Sequence, residues 1–168
     1  PTTQINVWFD DSGSMSGTLS PLKNMVNNEL KSCLIQFYNN DDAAYNKFVS
    51  VREYGGRQAD NPLYWKYNER FPIVMSWEPD IIGATNCINL VFQDEVEGGY
   101  QNSPVNPSYI TSGWKSDILT FKNIINNNQT GYVTPVLFQI GTYRYEYAFG
   151  RFLDIVENGE GAYAPSDY

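Results

Sequence analysis

The order of the apolar segments is the strongest constraint on the fold. Residues 5–9 (Ile-Asn-Val-Trp-Phe) form a short β-prone run, which predicts a buried strand. Ser20-Pro21 then has the pattern of an N-cap followed by proline in the first helical turn, and apolar residues recur with helical spacing as far as Phe37. Residues 47–54 predict a second strand. The order strand, helix, strand indicates an α/β domain with a mainly parallel sheet.

The rest of the chain continues this alternation. Strands are predicted at residues 71–77, 87–93 and 133–140, and helices at residues 118–125 and 145–156. The tail, residues 160–168, has no periodicity. We therefore expect one domain over residues 1–168, a doubly wound sheet between two helical layers, with ligands bound beyond the carboxyl ends of the strands.

The composition excludes several kinds of site. The chain has no histidine, which rules out Ser-His-Asp and Cys-His catalysis and any zinc site that needs imidazole. Its net charge of −8 argues against binding nucleic acid or anionic membranes, and its apolar runs are too short for membrane insertion. Cys33 and Cys87 are too few for a disulfide framework, and we expect two buried thiols.

Two acidic loops follow strands that are predicted to be parallel neighbours. Asp10, Ser12 and Ser14 come directly after the first strand, and Asp94 comes directly after residues 87–93. Carboxylate and hydroxyl oxygens are hard donors, which suit Mg²⁺, or Mn²⁺ or Ca²⁺ in its place. The pattern predicts a metal site at this edge of the sheet, and the alternative is a plain turn that caps the following helix.

The segment Asp10-Asp11-Ser12-Gly13-Ser14, between an apolar strand and a helix, resembles a known motif. It is similar to the Asp-x-Ser-x-Ser of the metal-ion-dependent adhesion site in von Willebrand factor A domains. The resemblance implies that Ser12 and Ser14 bind the ion through their hydroxyls and that Asp10 accepts hydrogen bonds from coordinated water. It also implies that Asp94 matches the later aspartate of the family, and that the third strand is an antiparallel edge strand.

Thr85 leaves two alternatives open. The family uses a threonine in a loop similar to Gly83-Ala84-Thr85-Asn86, but if residues 87–93 are a strand, Thr85 lies more than about 20 Å from Asp94. Otherwise residues 86–96 are a helix, the later strand is at residues 108–111, and Thr111-Ser112-Gly113 replaces the acidic loop of the family. The strongly apolar character of residues 87–93 favours the first alternative.

Three aromatic segments are predicted to overhang the metal if the third strand is antiparallel. They span residues 55–70, 95–114 and 142–145, and their candidate partner-binding residues are Tyr64, Trp65, Tyr67, Tyr100 and Tyr143. Tyr and Trp are common in protein-binding surfaces, so these loops are expected to form a recognition rim. The alternative is that they pack on themselves.

Three functions are compatible with these features. The first is a non-catalytic adhesion module whose ion captures an acidic side chain of a partner protein. The second is a structural component of a phage virion or another large assembly, with a structural or vestigial ion. The third, a phosphatase that uses Asp10 as nucleophile, is disfavoured because Ser12 stands where that chemistry needs a second acid. If Pro1 follows a removed initiator Met, we expect cytoplasmic synthesis.

Overall fold

The computed structural model describes the chain in separate stretches. They comprise residues 2–10, 15, 17, 19–54, 66–67, 71–93, 122–124 and 131–140. Residues 122–124 are helical and belong to the predicted helix at 118–125. The predicted helix at 145–156 and the tail lie outside the described residues. Within those residues, no helix is long and apolar enough to cross a membrane.

The described residues form a parallel sheet of five strands. The strands are β1 (Thr3–Asp10), β2 (Val49–Tyr54), β3 (Lys66–Tyr67), β4 (Asn86–Gln93) and β5 (Val133–Gln139). Their order across the sheet is β3-β2-β1-β4-β5, and each neighbouring pair runs parallel. The predicted α/β class and the strands at 5–9, 87–93 and 133–140 are therefore confirmed.

Helical segments connect the strands. They are α1 (Leu19–Met25), a π turn (Val26–Leu30), α2 (Lys31–Leu34), a 3₁₀ turn (Ile35–Tyr38), α3 (Asp42–Phe48) and α4 (Phe71–Met75). The segments from α1 to α3 link β1 to β2, and α4 precedes β4. The predicted amphipathic helix after the first loop is thus confirmed. It is continuous from α1 to Tyr38 only if the π turn and the 3₁₀ turn are counted as parts of it.

One face of the sheet carries the apolar core. Ile5, Val7 and Phe9 alternate along β1, are at most 3% exposed, and pack with Phe92 of β4 against apolar side chains of α1 to α3. Phe9 stacks on Phe92 with ring centroids 5.4 Å apart, and Phe92 stacks on Phe138 at 4.5 Å. The buried Phe9–Phe92 stack holds β1 against β4, and Phe138, which is 42% exposed, extends the stack to β5.

The other face of β1 is polar although it is buried. Gln4, Asn6, Trp8 and Asp10 alternate with the apolar residues, and each is 0% exposed. Asn89 of β4 forms hydrogen bonds with two of them. Its Oδ1 accepts from Nδ2 of Asn6 at 2.9 Å and from Nε1 of Trp8 at 3.0 Å. We call Gln4, Asn6, Trp8 and Asp10 the polar row of β1.

The segment between α4 and β4 covers this polar row. Nδ2 of Asn89 donates to the carbonyl of Trp77 at 2.9 Å, and Oε1 of Gln4 accepts from the backbone N–H of Asp80 at 3.0 Å. Arg52 of β2 donates to both carboxylate oxygens of Asp80, at 3.0 and 2.8 Å. Buried polar groups are costly unless they are paired, so these bonds fix the segment on the sheet.

Residues 71–77 were predicted to be a strand, and this prediction is wrong. Residues Phe71–Met75 form α4 instead, and the short edge strand is β3, which lies within the predicted loop 55–70. β3 runs parallel to β2, so the antiparallel edge strand is also wrong. Five apolar residues cannot distinguish a strand from a helical turn by periodicity, and Pro72 in the first turn is compatible with a helix.

The prediction that residues 47–54 are one strand is partly wrong. Residues 47 and 48 belong to α3, and β2 begins at Val49. Asn39 and Asn40 end the preceding helical segment with φ of 55° and 58°, but Asp41 then begins α3 by accepting hydrogen bonds from the N–H groups of Ala43 and Ala44. Aspartate is a favoured N-cap, so the polar residues 39–42 end one helical segment and also begin the next.

The Arg52–Asp80 pair predicts acid sensitivity of the fold. Burial opposes ionisation, but hydrogen bonds from Arg52, Trp77 and Gln4 lower the pKa of Asp80 from 3.8 to about 2. A depressed carboxylate pKa stabilises the fold above about pH 4, and this stabilisation is lost as the pH falls to about 2. Urea unfolding of Asp80→Asn should show a weaker dependence on pH in this window.

The same variant should lose about 2 kcal/mol at pH 7, because it leaves the buried Arg52 guanidinium without its counter-charge. This figure lies below the range for fully buried pairs because the side chain of Asp80 is 40% exposed. Equal pH dependence in the two proteins would show that the pair does not control acid unfolding.

The cysteines differ in environment, and this difference predicts their reactivity. Cys87 is buried, as expected, but Cys33 is exposed, so the prediction of two buried thiols is wrong for Cys33. Burial raises the pKa of the Cys87 thiol to about 12. Native protein treated with iodoacetamide at pH 8 should carry its adduct on Cys33 by mass spectrometry, and Cys87 should react only after unfolding. Rapid labelling of native Cys33→Ser would contradict this assignment.

Candidate metal centre

Asp10 is a buried carboxylate at the carboxyl end of the central strand. It is the last residue of β1 and is 0% exposed. On one side it is in register with Tyr54, the last residue of β2. On the other side Phe9 is in register with Phe92, which brings Gln93, the last residue of β4, beside Asp10. The predicted candidate residue Asp10 therefore lies between two strand ends.

The strand order makes this position a natural ligand site. The chain passes from β1 outward to β2 and β3, and then returns to β4 on the opposite side of β1. In parallel α/β sheets, ligands bind at the carboxyl ends of the strands where the order reverses in this way. Asp10 is at that reversal point.

An ion pair fixes the first helix against the same end of the sheet. Lys23 of α1 donates to Oε1 of Glu53, which immediately precedes Tyr54 in β2. The Glu53 side chain is 4% exposed and that of Lys23 is 20% exposed. The pair holds the helix that follows the loop after Asp10, so it anchors the segment on the helical side of the site.

The other predicted metal ligands, Ser12, Ser14 and Asp94, lie outside the described residues. Asp94 directly follows Gln93 in the sequence. Among the residues that the structure describes, no group of three or more His, Cys, Asp or Glu side chains could hold a metal ion. The donor that the described residues bring to the site is the Asp10 carboxylate, and a hard oxygen at this position suits Mg²⁺.

The candidate partner-binding residues also lie mostly beyond the described part of the chain. The residues concerned are Tyr64, Trp65, Tyr100 and Tyr143. Tyr67 is described only through its backbone, in the short edge strand β3. The expected recognition rim therefore stays a prediction.

Thr85 lies at the opposite end of the sheet from Asp10. Its backbone N–H donates to the carbonyl of Thr2 at 2.9 Å, beside the beginning of β1. At about 3.3 Å per residue, the eight residues of β4 separate Thr85 from the site by roughly 25 Å. The alternative in which residues 86–96 are a helix is wrong, because Asn86–Gln93 form β4. Thr85 cannot bind the same ion as Asp10.

Sequence reasoning missed two residues of this end of the sheet. Tyr54 is 1% exposed and Gln93 is 0% exposed, and both share the face of Asp10. The signal was present in the first strand, where Gln4, Asn6 and Asp10 alternate with apolar residues. That alternation, typical of a strand with two unlike faces, indicates that polar neighbours are needed on β2 and β4.

Comparison of the chain with family models, with curated proteins and with solved structures finds no match. The resemblance to von Willebrand factor A domains therefore depends on the motif at residues 10–14 and its position between a strand and a helix.

The Lys23–Glu53 pair predicts a double-mutant result. Lys23→Met should cost about 3 kcal/mol of unfolding free energy, because it removes a partner from the buried Glu53 carboxylate. The double variant Lys23→Met/Glu53→Leu should recover more than half of that loss, since no buried charge then remains. Urea unfolding of the two single variants and the double variant measures the coupling. Additive losses would show that the two side chains act independently.

Proposed function

We propose that this protein is a non-catalytic binding module that holds a divalent cation at the carboxyl end of its sheet. The cation, with one coordination position left open, captures an acidic side chain of a partner protein. The observation that carries the proposal is the fully buried carboxylate of Asp10 at the reversal point of the strand order.

A buried carboxylate at this position can be stabilised by a cation. Removing an ionised group from water is unfavourable unless opposite charge or several hydrogen bonds compensate for it. In the proposed site Ser12 and Ser14 bind the ion through their hydroxyls, Asp10 holds coordinated water, and Asp94 adds a second carboxylate from the end of β4. Oxygen donors of this kind, with several waters retained, are typical of Mg²⁺.

The finer architecture belongs to the same proposal. A doubly wound sheet of the von Willebrand factor A type is supported by the reversal between β1 and β4 and by α1, which follows the Asp-x-Ser-x-Ser segment. The parallel direction of β3 differs from the antiparallel edge strand usual in that family.

The charge of the protein supports cation-dependent capture. With a net charge of −8, the chain repels an acidic partner at long range. A divalent ion with an open position reverses the sign of the potential locally and offers the partner's carboxylate a direct bond. Binding should therefore require both the ion and an acidic group, and the Tyr- and Trp-rich segments would supply the surrounding contacts.

Cation binding is tested by thermal unfolding in MgCl₂ and in EDTA. Saturation at about 100 times the dissociation constant should add about 2.7 kcal/mol of stability, which is a rise in Tm of roughly 5–10 °C for a chain of this size. Asp10→Asn should abolish the rise, because the amide removes the buried negative charge. Asp42→Asn, which changes an exposed aspartate on α3, is the matched control and should keep the rise.

Capture is tested separately with an array of peptides that contain Asp or Glu, probed with the protein in Mg²⁺ and in EDTA. Binding that needs the ion, and that is lost when the peptide carboxylate becomes an amide, is the expected result. Absence of any Mg²⁺-dependent change in Tm, with wild type and Asp10→Asn behaving alike, would refute the cation site and the capture that depends on it.

A further inference from the structure

A cavity of about 750 Å³ lies on the apolar face of the sheet, at the amino end of its strands. Its floor is formed by Ile5 of β1 and by Ile88 and Leu90 of β4, and Ile5 is in register with Ile88. Pockets of this size hold small organic ligands. Thr3, the first residue of β1, also lines the cavity, whereas Asp10 is the last. The cavity is therefore at the other end of β1 from the proposed cation site.

Aromatic side chains form the helical wall of the cavity. Tyr38 and Phe48 stack with their ring centroids 6.1 Å apart and their planes at 1°. Tyr38 is buried, and its hydroxyl donates to the carbonyl of Thr3 at 2.5 Å. Leu34 and Ala44 complete this wall. Because the stack and the hydrogen bond fix Tyr38, the wall keeps its shape without a ligand, which lowers the cost of binding.

Exposed residues mark the mouth of the cavity. Phe37 is 77% exposed, and Asn39 and Asp41 are exposed beside it. The Asp41 carboxylate accepts hydrogen bonds from the N–H groups of Ala43 and Ala44, which fix it at the beginning of α3. An apolar interior with a polar mouth fits a ligand that has an apolar body and a polar head.

Charge selects the kind of head that the mouth accepts. Among the described residues that line the cavity, Asp41 carries a negative charge and none is Lys or Arg. Burial raises the pKa of Tyr38 to about 12, so its phenol stays neutral. Nζ of Lys47 lies 4.9 Å from the Phe48 ring centroid, but Lys47 does not line the cavity. With a net charge of −8 on the whole chain, the mouth favours an ammonium group over a carboxylate or phosphate.

We propose that this cavity binds an amphipathic amine, with the apolar body between the sheet and the helical wall and the ammonium group at Asp41. Burial of the apolar body supplies the affinity, and the contact between ammonium and carboxylate supplies the preference for a cationic head. The head stays in water at the mouth, so it avoids the cost of burying a charge. This binding goes beyond the proposed capture of an acidic partner and does not depend on it.

The test is isothermal titration calorimetry of the full chain with decylamine, decanol and decanoate. The three compounds share one alkyl chain and differ in the charge of the head. Each is used below the concentration at which it forms micelles, and EDTA keeps the proposed cation site empty. We expect saturable binding that is tightest for decylamine, weaker for decanol and weakest for decanoate.

Two charge variants test the position of the head. Asp41→Asn should weaken decylamine binding about threefold to tenfold and leave decanol binding unchanged, because asparagine keeps the N-cap and removes the charge. Asp42→Asn is the matched control, since it removes the same charge from the next residue, which does not line the cavity. It should keep both wild-type affinities.

A filling variant tests the position of the apolar body. Ala44→Phe should abolish binding of decylamine and of decanol, because the added ring occupies the space between the wall and the sheet. Thermal unfolding checks that this variant is folded. Ala44→Leu, which adds less volume, replaces it if Ala44→Phe does not fold, and should weaken both compounds.

Several results would overturn the proposal. Absence of binding to the wild type, or decanoate binding as tightly as decylamine, would exclude an amine site. Equal weakening of decylamine by Asp41→Asn and Asp42→Asn would show a general attraction to an acidic protein. Undiminished binding to the filled variants would put the ligand outside the cavity. The proposed function stands or fails separately, on the change of Tm with Mg²⁺.

Discussion

The pairing of polar groups on the inner face of the central strand is the constraint on which the rest of the structure depends. Asn89 accepts from Asn6 and Trp8 and donates to the carbonyl of Trp77, so one side chain links β1, β4 and the covering segment. A shift of β4 by one residue would put Ile88 or Leu90 opposite these groups and leave them unpaired. Hydrogen bonding therefore fixes the register of β4 against β1 more strictly than apolar packing alone would.

The two faces of the sheet contribute in different ways. The helical face buries aromatic and aliphatic side chains, and this burial supplies most of the driving force for folding. The opposite face provides specific geometry instead, with the Arg52–Asp80 pair and the hydrogen bonds of Asn89 along β1 and the buried Asp10 carboxylate at its carboxyl end. A rigid polar face is a suitable base for a ligand site, because its side chains keep their positions without the ligand.

Much of the fold could be predicted from the sequence, for physical reasons that differ between elements. Residues 87–93 are long and apolar enough to show a central strand, and the Asp10 motif follows directly from the first strand. Residues 71–75 are too few for periodicity to distinguish a strand from a helical turn. The start of α3 depends on the Asp41 N-cap, which lies in a polar segment that also ends the preceding helical segment. The neighbours of Asp10 depend on strand register, which no local pattern reveals.

The parallel pairing of β1 with β4 has a consequence for the way this chain acquires its structure. Asn6 and Asn89 are 83 residues apart in sequence, whereas β2 reaches β1 after about half that length of chain. During synthesis on the ribosome, one edge of β1 must therefore wait until roughly ninety residues have emerged. Contacts between such distant residues slow folding, and an uncovered strand edge can pair with other nascent chains, so chaperone protection matters most in that interval.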